Sequence, residues 1–316
     1  MKIKKIRHIL PLIIFCLILL SCFPLEGMLA WADIVTRGKD IRIAVIDTGI
    51  SEEYDAFENI QIIKGKNFVF SEYDTKDKIG HGTRVVSLIT GAKTKYGSIE
   101  AIAPEAIIIP LVYQSKYPSG VIKNGGTELL AKAIKSAIDD YNCKIICISS
   151  GTTVDDDLRD AIKYAEEKSV IVVAAVGNEN ARNSDRVYYP AAYETVIGIG
   201  AIDKDDKIAE FSQRNSVFAV TYGKDITALS LDGRFKKFSG TSYANAYATG
   251  IIAAILSEYP DSSPEDIRNS ISSSADDLGD EGYDSDYGWG KINLEAAINA
   301  LNSILKEKDS QIKSGD

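Results

Sequence analysis

The chain has 316 residues, 45% of them hydrophobic, and a formal net charge of −9 at pH 7. That length suits one large domain with an extensive core. The acidic balance excludes nucleic acid as the expected partner, because phosphate binding needs clusters of Lys and Arg.

Residues 1–32 read as an export signal. Lys2, Lys4, Lys5 and Arg7 form a positive start, Ile9 to Leu20 an apolar run broken only by Pro11, and Ala30-Trp31-Ala32 an Ala-x-Ala cleavage site. The run is short for a bilayer-crossing helix, which needs about 20 apolar residues. An uncleaved anchor nevertheless stays open, as does lipidation at Cys22 in Leu19-Leu20-Ser21-Cys22. The expected location is therefore secreted, or tethered through the N-terminus to the outer face of the cytoplasmic membrane. Removing the leader takes away four positive charges and one negative, Glu26, and moves the net charge to −12.

Beyond the leader, short apolar runs alternate with segments of helical period. Ile41 to Ile46 predicts a strand ending at Asp47, and further strands are predicted at Ile107 to Tyr113, Lys144 to Ser149, Val170 to Val176 and Thr195 to Ala201. They are near-continuous in Val, Ile and Ala, as strands covered on both faces should be. Thr127 to Tyr141 and Asp155 to Lys168 carry apolar residues at helical spacing, and the acidic start of the second suits the helix dipole. A small-residue helix follows from Ser242 to Glu258. Another starts with Ser263 as cap and Pro264 in the first turn, and a last one runs from about Asn293 to Leu305. Residues 306–316 form a charged tail expected to be flexible. The alternation predicts an α/β fold, three layers α/β/α around a mostly parallel sheet, over residues 33–305. Cys143 and Cys147 lie four residues apart along one strand, too far to bridge, so both are expected to be unpaired.

Chemistry concentrates in four short segments. Asp47-Thr48-Gly49 ends the first strand, where open α/β sheets place functional groups. His81, in Gly80-His81-Gly82-Thr83, is the single histidine after the leader and opens a helical segment. Ser242 follows Gly240-Thr241 at the start of a helix, where developing negative charge is supported. Asn178 ends a buried strand in Ala174-Ala175-Val176-Gly177-Asn178 and can donate a hydrogen bond to an oxyanion. Singly, each has an ordinary structural reading as a cap or turn residue.

Taken together, these segments resemble the subtilisin-like serine proteases. The resemblance runs from about Ile41 to Ala300 and includes Ala103-Pro104 and Tyr287-Gly288-Trp289-Gly290-Lys291-Ile292-Asn293. It implies a peptidase in which Ser242 attacks, His81 is the general base, Asp47 orients the imidazole and Asn178 contributes to the oxyanion hole. It also implies that a peptide or protein substrate pairs, strand to strand, with Asn124-Gly125-Gly126 and Ser149-Ser150-Gly151. The pocket for the residue before the cleaved bond (P1) then lies near Glu179 and Val187-Tyr188-Tyr189-Pro190, where Tyr189-Pro190 resembles a family element with a cis peptide. Tyr188 stands where several relatives have a small residue, which favours a small P1 side chain; Glu179 and Asp185 would instead favour a basic one.

Several positions depart from the family pattern. Asn245-Ala246-Tyr247-Ala248 replaces Ser/Thr-Pro-His-Val after the nucleophile segment, and Arg84 replaces a histidine after His81-Gly82-Thr83. Lys93-Thr94-Lys95-Tyr96-Gly97 lies where many relatives bind calcium, and lysines are poor replacements for oxygen ligands. No cofactor is expected with assurance; calcium stays open at an unassigned site, with Asp276-Asp277 and Asp280-Glu281 as the acidic clusters. Only about eight residues separate Ala32 from the first strand, so the expected enzyme folds without a linked pro-domain and resembles compact peptidases that trim bacterial peptides. A monomer is expected. The alternatives are a catalytically silent binding protein on the same fold and an esterase or amidase using the same residues.

Overall fold

The apolar runs of the sequence become parallel neighbours in one sheet. The computed structural model describes residues 37–51 and 53–314; the expected leader over residues 1–32 lies outside the described residues. In chain order the strands are β1 (Arg42–Asp47), β2 (Gln61–Ile62), β3 (Lys66–Asn67), β4 (Ala92–Thr94), β5 (Gly97–Ile99), β6 (Ile107–Val112), β7 (Gln114–Lys116), β8 (Ile122–Asn124), β9 (Ile145–Ile148), β10 (Ile171–Ala175), β11 (Ile197–Ile202), β12 (Ala219–Tyr222), β13 (Ile226–Leu229) and β14 (Phe235–Phe238). The helices are α1 (His81–Thr90), α2 (Gly126–Asp139), α3 (Asp156–Glu167), α4 (Thr241–Glu258), α5 (Pro264–Ser272) and α6 (Leu294–Ser314).

The central sheet runs β12-β11-β10-β9-β1-β6-β2, with β3 also on β6, and its pairings are parallel. The expected α/β/α layering is therefore present. Along β1, Ala44 and Ile46 face one way and join a buried cluster with Ile109, Ile146, Leu130 and Ile134, on the side of α2 and α3. Ile43 and Val45 face the other way and are equally buried. α4 packs across β9 to β12, with α1 beside it. Burying each of these large aliphatic side chains stabilises the fold by roughly 1.5–3 kcal/mol.

Asp155 caps α3 by accepting the Leu158 N–H at 3.1 Å, and Ser263 and Asp266 form a reciprocal capping box at α5. The Tyr287-to-Asn293 motif attaches to the edge of the sheet, Lys291 bridging Val220 of β12. Cys143 and Cys147 are buried and unpaired, and burial pushes both thiols up to about 12. α6 continues through residues 306–314, and Lys308 Nζ pairs with the Asp266 carboxylate at the start of α5. Among the described residues no helix is long and apolar enough to cross a membrane.

Candidate active site

β1 lies between β9 and β6, so Asp47, its last residue, emerges at the carboxyl edge in the middle of the sheet. Asp47 is buried, and its Oδ1 accepts the Thr48 N–H at 2.7 Å. His81 opens α1 and aims its ring at that carboxylate: Nδ1 lies 2.8 Å from Oδ1 and 2.9 Å from Oδ2 of Asp47. With the proton on Nδ1, the ring donates to Asp47 and keeps the Nε2 lone pair for chemistry.

The approach of α1 to β1 depends on glycine. A Cβ on Gly82 would lie 2.2 Å from the Gly49 carbonyl oxygen, and the Gly82 N–H donates to Thr48 Oγ1 at 2.8 Å. The start of α1 is also held by a residue the sequence reading passed over. The buried Asp77 carboxylate accepts the N–H groups of Ile79, Gly80 and Thr83 at 2.9, 2.6 and 2.9 Å, and the Thr83 hydroxyl at 2.7 Å. Its sequence signal was an Asp four residues before the histidine, a spacing that suits capping of the turn that follows.

Burial alone would lower the basicity of the His81 imidazole. The Asp47 carboxylate opposes this by its charge and its hydrogen bond, with a smaller contribution from Asp77 and against Arg84. The net effect raises the pKa above the ordinary 6.5. The His81 side chain stays 25% exposed, so protons can reach it.

Ser242 sits in the first turn of α4, where backbone N–H groups lack a partner within the helix. Its Oγ donates to the Ser149 carbonyl at 3.4 Å, a long contact. Among the hydrogen bonds of the described residues, none joins it to His81. Such bonds are commonly loose before substrate arrives.

Asn178 lies just past β10 and is tied to the same helix start. Its Oδ1 accepts the Thr241 N–H at 2.8 Å and the Thr241 hydroxyl at 3.0 Å. This caps α4 from a distance, since Gly240 has no side chain to do so. It also fixes the carboxamide with its NH2 directed away from Thr241. Thr241, fully buried, was missed by the sequence reading; its position directly before the serine was the available signal.

The two expected groove segments both reach the carboxyl edge, on either side of β1. Asn124 ends β8, Gly125 caps α2 and Gly126 begins it. The Gly125 N–H donates to the Tyr113 carbonyl and the Tyr113 N–H to the Asp47 carbonyl, at 2.9 and 2.8 Å. Ser149, Ser150 and Gly151 follow β9, and Thr152 exchanges two backbone hydrogen bonds with Tyr189, at 2.8 and 2.9 Å. Tyr189-Pro190 is cis. Glu179 pairs with Arg186 at 2.9 Å and accepts from the Tyr188 hydroxyl; burial and that bond push the phenol up to about 12.

Among the described residues no group of three or more His, Cys, Asp or Glu side chains is arranged to hold a metal ion. In the first acidic cluster, Asp277 accepts the Gly282 N–H, and Asp276 engages Asn293 and Lys291. The lysine-containing loop is the β4–β5 hairpin.

Residues 38–290 match the family described as the subtilase family. The minor extracellular protease Epr of Bacillus subtilis (strain 168) is 32% identical over 295 residues, which make up 93% of this chain and 43% of that protein. Subtilisin DY of Bacillus licheniformis is 31% identical over 83% of this chain and 92% of its own length. The major intracellular serine protease of Bacillus subtilis (strain 168) is 34% identical over 72% and 71%. The chain thus spans under half of Epr and nearly all of subtilisin DY. Among solved structures, the prenylagaramide maturation protease PagA has the same fold, with a TM-score of 0.72 at 24% identity over 88% of this chain and 99% of that one. MycP1 with its N-terminal propeptide removed gives 0.71 at 24% identity, over 86% and 95%.

Proposed function

The chain belongs to the subtilase family and is a subtilisin-like serine endopeptidase. From that premise we propose that it hydrolyses peptide bonds through Asp47, His81 and Ser242, with Asn178 in the oxyanion hole. The observation that carries this reading is the buried Asp47 carboxylate bridging His81 Nδ1 at 2.8 and 2.9 Å. That contact fixes the tautomer in which Nε2 is a base.

Substrate draws the Ser242 hydroxyl from Ser149 towards His81 Nε2, which takes its proton as Oγ attacks the scissile carbonyl. The developing imidazolium is stabilised by Asp47. The developing oxyanion is stabilised by the Asn178 NH2 and the Ser242 N–H at the positive end of α4. His81 then returns the proton to the leaving amine, and water repeats the sequence on the acyl group. Asn124 to Gly126 and Ser149 to Gly151 supply the backbone edges for an extended peptide.

The finer reading is an exported enzyme, secreted or held at the outer face of the membrane. Its support is the charged and apolar start of the sequence and the extracellular relative Epr. We read it as a processing enzyme acting on a specific peptide or protein, as the name of PagA describes for that protein. The test is cleavage of a proteome-derived peptide library by the purified chain, with Ser242→Ala as control. Cleavage lost in the variant supports the proposal; equal cleavage by both overturns it.

A further inference from the structure

An acyl group held with its carbon on Ser242 Oγ and its oxygen at Asn178 must direct its side chain somewhere. β9 and β10 are adjacent and parallel, with Ile148 opposite Ala174. The segments beyond them, Ser149 to Gly151 and Val176 to Asn178, flank a cleft. Ser149 touches the nucleophile through its carbonyl, and Asn178 carries the amide. The P1 residue therefore lies over the mouth of this cleft, and its side chain points in.

The cleft is filled. A Cβ built on Gly151 would meet Tyr188 Cδ1 at 2.7 Å, and one built on Gly177 would meet Cδ2 of the same ring at 2.5 Å and Cε2 at 2.8 Å. Two glycines on opposite walls thus make room for one ring, which touches both. Tyr188 is only 9% exposed.

The ring is also anchored. Its neighbour Tyr189 is clamped to Thr152 by two backbone hydrogen bonds, at 2.8 and 2.9 Å. Its hydroxyl donates to Glu179. The Arg186 guanidinium lies over the ring, 4.8 Å from its centroid, and holds the same Glu179 at 2.9 Å. Swinging the ring out would break several of these contacts at once. The same contacts argue against a basic P1 side chain, because the Glu179 charge is already matched by Arg186. Asp185 accepts from Ser184 on the exposed part of its loop.

We propose that Tyr188 is a fixed plug in the P1 pocket, and that the substrates are peptides and proteins with glycine or alanine before the cleaved bond. This rests on the serine endopeptidase reading above and deepens it by naming the substrate class.

The test is a series of peptides identical except at P1 (Gly, Ala, Leu, Phe, Arg), cleaved by the wild-type chain and by Tyr188→Ala. A fluorophosphonate label on each preparation counts competent Ser242. We expect the wild-type kcat/KM to favour Gly or Ala over Leu, Phe and Arg by about 100-fold, the upper range of what pocket contacts deliver. In Tyr188→Ala, Leu or Phe should gain at least about tenfold relative to Ala. Wild-type cleavage after Phe, Leu or Arg as fast as after Ala overturns the proposal, and this arm needs no variant to fold. An unchanged profile in a fully labelled Tyr188→Ala also overturns it. A labelled enzyme that cuts after large residues leaves the hydrolase reading intact. An unlabelled wild type that cleaves nothing removes that reading and this inference together.

Discussion

The proposed function gives Asn178 two jobs through two ends of one amide, and substitutions can separate them. Its Oδ1 holds the Thr241 N–H and hydroxyl at 2.8 and 3.0 Å, and on the function proposed above its NH2 serves the oxyanion. Asn178→Ala removes both. Loss of a hydrogen bond to a charged group costs about 1.5–3 kcal/mol. At 1.36 kcal/mol per decade, kcat falls roughly 10- to 150-fold. KM should barely move, since the oxyanion exists only in the transition state. Loss of the cap should also lower stability by about 1 kcal/mol, read from urea unfolding. Asn178→Asp keeps the acceptor for Thr241 but replaces the donor with a repelling oxygen. It should unfold like the wild type and lose at least as much kcat as Asn178→Ala. Thr241→Val keeps the amide and removes one of its two anchors, a neutral hydrogen bond worth about 0.5–1.5 kcal/mol, so kcat should fall only about 2- to 13-fold. A kcat within threefold of wild type in Asn178→Asp, or a loss confined to KM, would refute the reasoning.

Further predictions concern His81. With the raised His81 pKa, the acidic limb of the kcat/KM profile should lie above pH 6.5. In a His8→Gln background His81 is the one histidine, so its NMR titration should track that limb. Asp47→Asn should move the titration down, because burial is then opposed only by the smaller contribution of Asp77. The sign for stability is opposite to that for activity. The pair contributes fully below the unfolded value of 6.5, where His81 is charged, and that contribution is lost as pH rises through the higher folded pKa. Asp47→Asn should therefore destabilise most in acid, as measured by urea unfolding at pH 5 and pH 9. Gly82→Ala places a methyl 2.2 Å from the Gly49 carbonyl oxygen and must push α1 off β1. It should cost about 1–3 kcal/mol of stability and at least about 10² in kcat/KM, since catalysis tolerates little displacement of His81; unaltered kinetics would contradict this close approach.

Five strands of the central sheet, β1, β6, β9, β10 and β11, were legible because strands covered on both faces are written as unbroken apolar runs. Ile43 to Ile46, Ile107 to Leu111 and Ile171 to Ala175 need no partner to be recognised. The hairpins β4–β5, β7–β8 and β13–β14 were not, because short strands such as Gln114–Lys116 and Phe235–Phe238 alternate little and are fixed by packing. In the candidate site, the resemblance carried by four short motifs pointed to Asp47, His81, Asn178 and Ser242. The supports were less visible because they act across the chain. Thr241 serves an amide 63 residues earlier, and Asp77 works through backbone N–H groups that no motif records. The bulk of Tyr188 could be read from the sequence, but its place between Gly151 and Gly177 comes only from the convergence of two strand ends.

The central claim is that Ser242 is a nucleophile activated by His81 and Asp47. The most direct measurement is intact and tandem mass spectrometry of the chain after a fluorophosphonate, run beside Asp47→Asn. The account predicts one adduct per chain, on Ser242, formed much more slowly in the variant. A folded wild-type chain with no adduct, or with an adduct elsewhere, would contradict it.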